Sequence, residues 1–83
     1  MTIRVRLMAG EGRAATIDLS WEGEVELELS VGPVIRGRFL NMPTIVLNEI
    51  ANRTDVTLHV EGCRYEVTSV ERNGTFEAVK NWT

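Results

Sequence analysis

The chain has 83 residues, 43% of them hydrophobic and 25% charged, with a net charge of −3. This is the composition of one ordinary globular domain, 1–83, and it excludes a disordered chain. The acidic balance also argues against a generic binder of nucleic acid or anionic membrane, which draws on a basic excess to displace counterions.

No apolar run is long enough for a transmembrane helix, and the opening Met1-Thr-Ile-Arg lacks the apolar core of a signal peptide. The only cysteine, Cys63, has no internal disulfide partner. With no export signal, the expected compartment is a reducing cytoplasm.

Ile3, Val5 and Leu7 alternate with Thr2, Arg4 and Arg6, the period of a half-buried strand over residues 2 to 8. Ala9-Gly-Glu-Gly-Arg13 interrupts it. A second strand is predicted at 14 to 21, with Ala15, Ile17, Leu19 and Trp21 inward.

The most ordered stretch follows: Glu22, Glu24, Glu26 and Glu28 alternate with Val25, Leu27, Leu29 and Val31. Alternation puts the carboxylates on one face of a strand and the apolar residues on the other. Face parity favours a hairpin with a three-residue loop, Glu22 to Glu24, because that loop sets Trp21 beside Val25, Leu19 beside Leu27 and Ile17 beside Leu29. Asp18 then falls opposite Glu28, a like-charge pair that requires a cation alongside, and Arg4 is the expected one.

Gly32-Pro33 breaks the pattern, and Val34 to Leu40 reads as a further short strand or an irregular edge. Asn41 and Pro43 mark a helix start, and Val46, Leu47, Ile50 and Ala51 share one face of a short helix over about 43–52. Val56, Leu58 and Val60 then alternate into Glu61-Gly62, a two-residue loop that pairs Val60 with Cys63 and Leu58 with Tyr65. Asn73-Gly74 closes a last hairpin with Thr75 to Trp82, and a parity break near Ser69-Val70 predicts a bulge there or a face that is covered on both sides. The expected fold is therefore α+β: a small antiparallel sheet of about six strands, possible to curl into a barrel, with one short helix covering an opening or face.

Residues for chemistry are scarce. The hairpin register turns Cys63 inward with Val60 and Tyr65 and points His59, the only histidine, the other way beside Arg64, so a nucleophile and base do not meet. One Cys and one His are too few for a zinc site, and Gly10-Glu-Gly12 is too short for a phosphate-binding loop. The expectation is no enzyme, with no catalytic residue, no metal and no cofactor.

Two surfaces stand out as candidate binding sites. The first is the acidic face Asp18, Glu22, Glu24, Glu26 and Glu28. Alternate strand residues stand about 6.7 Å apart, near the spacing of phosphates along a nucleic-acid strand, so this row could imitate one and inhibit a nucleic-acid-binding enzyme or defence system. The second is a basic patch of Arg36 and Arg38 with Phe39 as a base-stacking ring, the motif of a weak RNA- or DNA-binding domain.

The main reading is a small cytoplasmic binding module whose partner is another protein, with no membrane partner, nucleic acid disfavoured, and homodimerisation through an edge strand or exposed aromatics as an added expectation.

Overall fold

The computed structural model describes residues 1–10 and 19–80. Among these residues there are six strands, β1 (Thr2–Ala9), β2 (Leu19–Val31), β3 (Val34–Leu40), β4 (Val56–Val60), β5 (Cys63–Val70) and β6 (Thr75–Lys80), and one helix, α1 (Thr44–Ala51), between β3 and β4. All neighbouring strands are antiparallel and the sheet closes into a barrel in the order β1-β2-β3-β6-β5-β4. Two three-stranded meanders are thus sewn together along two seams, β1 to β4 and β3 to β6. Among the described residues no helix is long and apolar enough to cross a membrane.

Alternation dictates the core. Val5, Leu7 and Ala9 on β1, Val25 on β2, Ile35 and Phe39 on β3, Val56, Leu58 and Val60 on β4, and Phe76 and Ala78 on β6 are buried inside the barrel. An aromatic chain fills its middle: Phe39 stacks on Phe76 with ring centroids 4.5 Å apart, and Trp21 meets Phe39 edge-on at 5.7 Å. Ile50 of α1 joins this cluster, with Val46 and Leu47 packed beside it. The helix has Pro43 at its N-cap and no side-chain cap, and Asn41 before it adopts a left-handed turn at φ 59°. Ala51, expected on the packed face, is exposed. At the other end of the helix Arg53 grips the Asp55 carboxylate through Nε and Nη2 at 2.8 and 2.7 Å, tying the helix exit to the start of β4.

The second meander forms as its local signals dictate. Val60 pairs with Cys63 and Leu58 with Tyr65 around Glu61-Gly62, both of which take positive φ. The ladder of β5 and β6 shifts between Val67 and Ser69, the bulge that the parity break predicts. The final turn differs in detail: Gly74, but not Asn73, takes positive φ, and Gly74 N–H donates to the Glu71 carbonyl at 3.0 Å.

The first meander corrects the sequence reading. No hairpin turns at Glu22 to Glu24. Instead β2 runs straight through them, and Trp21 pairs with Leu7, Gly23 with Val5 and Val25 with Ile3. Gly23 is a mid-strand residue because the Trp21 indole lies over it: a Cβ there would stand 2.4 Å from the ring. Residues 34 to 40 form a complete strand paired on both sides rather than an irregular edge. Most of the expected strand at 14 to 21, Asp18 included, lies outside the described residues.

A second departure lies further along β2. The register with β3 shifts between Leu27 and Leu29, leaving Glu28 as the extra residue of a bulge. Gly37 sits against this bulge, and a Cβ on it would come within 2.5 Å of the Glu26 carbonyl oxygen. Beyond the bulge the faces exchange. Leu29 lies opposite Arg36 on the outside and Ser30 opposite the buried Ile35, so Leu29 leaves the core face that strict alternation assigns it.

Candidate functional site

The outer wall of β1, β2, β3 and β6 brings the predicted charged residues together in alternating stripes. β1 presents Arg4 and Arg6, β2 presents Glu22, Glu24 and Glu26, β3 presents Arg36 and Arg38, and β6 presents Glu77. The register matches them across strands: Arg6 with Glu22, Arg4 with Glu24, Glu26 with Arg38 and Arg36 with Glu77. Opposite charges facing each other across a ladder favour that register, where like charges would oppose it.

The closest contacts follow the same plan. The Glu22 carboxylate receives Arg4 on one oxygen and Arg6 on the other, each at 3.5 Å, and Arg36 reaches Glu77 at 3.4 Å. Glu26 accepts hydrogen bonds from the Met1 ammonium and, at 3.0 Å, from the Thr2 hydroxyl. These two bonds, with a smaller contribution from Arg38, hold its carboxyl below the ordinary value of 4.5.

Glu24 and Glu28 are exposed and belong to none of these ion pairs. Glu28, at the bulge, is displaced from the straight row of Glu22, Glu24 and Glu26. Arg4 stands beside Glu22 and Glu24, and the expected row through Asp18 lies outside the described residues. An acidic ladder interleaved with arginines on both flanks is a balanced wall, and its phosphate-like spacing is offset by cations at the same spacing.

The basic patch is divided by the strand that carries it. Arg36 and Arg38 point outward into the charged wall, whereas Phe39 is 6% exposed, stacked on Phe76 and edge-on to Trp21. Its ring has no free face for a nucleobase. Two shallow grooves, of about 300 and 330 Å³, flank Arg6: Arg4, Glu22 and His59 line one, and Ser20, Trp21 and Glu22 the other, with Met8 shared. Cys63 and His59 stand in the expected register, opposite Val60 and Arg64 respectively.

A third surface went unmarked in the sequence. Past the bulge, the β2–β3 ribbon carries Leu29 at 47% and Val31 at 60% exposure, and Met1 is exposed beside it at 73%. Across the ladder Val31 faces Val34, which in turn faces Val79, extending an apolar row over three strands. A signal for it existed. If Gly32-Pro33 is a two-residue loop, Ser30 must pair with Ile35 and share its face, which conflicts with the parity of Val25 and Leu27 unless a bulge intervenes. Comparisons with family models, with curated proteins and with solved structures return no match.

Proposed function

We propose that the protein is a small non-enzymatic binding module of the cytoplasm that works by contact with another protein, through the tip of the β2–β3 ribbon. One observation supports this reading above the rest: Leu29 and Val31 are exposed side by side on a barrel whose remaining charged wall is internally balanced. Apolar side chains gathered at an open strand end and rimmed by charge are the makings of an anchor for a protein surface. Arg36, opposite Leu29 in the ladder, supplies a polar rim.

The test is capture from a native lysate by the immobilised chain, followed by mass spectrometry. Leu29→Lys combined with Val31→Lys is expected to abolish specific capture while the barrel still melts cooperatively. If capture survives that pair but is lost on Glu24→Lys with Glu28→Lys, the acidic face is the binding surface and the reading fails. Capture that nuclease treatment removes would assign a nucleic-acid partner instead.

A further inference from the structure

The ribbon tip has a second property, which concerns its backbone. β1 accompanies β2 only as far as the pairing of Thr2 with Glu26 and the bond from Leu27 N–H to the Met1 carbonyl at 2.8 Å. β2 continues to Val31. Among the described residues, Leu29 to Val31 therefore have a ladder partner on the β3 side alone, Glu28 being the extra residue of the bulge.

The ladder settles which groups are left over. Val31 faces Val34 around a two-residue link, which makes them a hydrogen-bonded pair, and antiparallel pairs alternate in kind. Leu29 and Val31 thus direct their amides and carbonyls toward β3, and Ser30 directs its own toward the open side.

From this we infer that the open edge pairs with the same edge of a second copy, in an antiparallel register centred on Ser30. This rests on the reading that the tip is a protein-contact surface and names its partner.

The open edge is self-complementary. With the two-fold axis at Ser30, its N–H donates to the Ser30 carbonyl of the second copy and the reciprocal bond forms as well. Leu29 falls opposite Val31 of the second copy, twice, covering both exposed side chains. Glu28 falls opposite Gly32, so no like charges meet. Other registers lose this match. An axis between Leu29 and Ser30 would set Leu29 against Ser30 and Glu28 against Val31, and one at Leu29 would centre on a residue whose backbone groups are engaged by β3. A short exposed strand edge with apolar side chains is also a known route to chain pairing. The contact is small, at the low end of the interface range below about 1,200 Å², so the dimer is weak and concentration-dependent.

Sedimentation over a wide concentration range, run on the wild type, Ser30→Pro and Leu29→Lys, is the direct test. Proline removes the one outward-facing amide at a position where an edge strand tolerates it. The wild type should shift from monomer toward dimer as concentration rises, and both variants should stay monomeric with native circular dichroism. Independently, Ser30→Cys in a Cys63→Ala background should oxidise to a covalent dimer, because a hydrogen-bonded antiparallel pair sets Cα atoms about 5.5 Å apart, within disulfide range. Thr68→Cys in the same background should not. A wild type that stays monomeric throughout, or a Ser30 cysteine that cross-links no faster than the Thr68 control, overturns the inference. If the chain is monomeric yet Leu29→Lys with Val31→Lys still abolishes capture of a different protein, the tip remains a binding surface and only the identity of its occupant falls.

Discussion

Val25 and Leu29 stand on one strand, in one unbroken alternation of sequence, and meet opposite fates: Val25 is 0% exposed and Leu29 47%. Between them β2 passes from the barrel wall to a strand end whose β1-side edge is open. On the wall side, Glu24, Val25 and Glu26 have a ladder neighbour on both flanks, and the glutamates face arginines or hydroxyl and amino groups. On the tip side, one flank is open and the face pattern is reversed. The difference comes from one extra residue, Glu28, and from the glycine across from it that makes room for the bulge. Periodicity specifies a face only as far as the register holds.

The contrast can be broken most forcefully in the core. Phe39→Ala removes the ring that joins Trp21 to Phe76 and is expected to cost about 3–5 kcal/mol, whereas Leu29→Ala, past the bulge, should leave monomer stability within about 0.5 kcal/mol. Urea unfolding at a concentration low enough to keep the chain monomeric checks both. Comparable losses at the two positions would mean that Leu29 is packed.

Gly37→Ala addresses the hinge between the regions. Its methyl group would meet the Glu26 carbonyl, and main chain cannot move aside as a side-chain tip can, so a loss of about 1–3 kcal/mol is expected. If the substitution is neutral, the bulge does not depend on that glycine.

The smallest effect concerns the wall. Glu26 has a lowered folded-state pKa, so its contribution to stability is present above the ordinary value of 4.5 and is lost as pH falls through the lowered one. Glu26→Gln should therefore flatten the acid limb of a stability-against-pH curve and leave Leu29 variants with the wild-type slope. An unchanged acid limb would show that the wall draws nothing from that carboxylate.

The same contrast explains what could be read from the residues alone. The β4–β5 hairpin was legible to the residue because its loop is short, its glycine is a turn glycine and its parity is consistent. The bulge near Ser69 was legible because parity fails there visibly. Gly23 misled because a glycine among charged residues reads as a turn, and only a ring from Trp21 lying over the strand shows that its task is clearance. The pairing of β1 with β4 and of β3 with β6 had no local signal, since each joins segments distant in the chain.

At the candidate site, the outward direction of the glutamates was legible and so was the need for an arginine across them. Its source was not, because the expected partner strand containing Asp18 was assigned through a hairpin that does not form. The exposed tip was hidden by the regularity of Val25, Leu27, Leu29 and Val31.

The two seams also bear on how the barrel assembles in time. Each meander is built from neighbouring segments, but contacts such as Val5 with Val60 and Val34 with Val79 require loop closure across much of the chain. Topologies dominated by such distant pairings fold in milliseconds to seconds rather than microseconds. Closing the two seams is the long-range part of that process, and the end of β2 beyond Leu27, which lies in neither seam, adds no pairing to it.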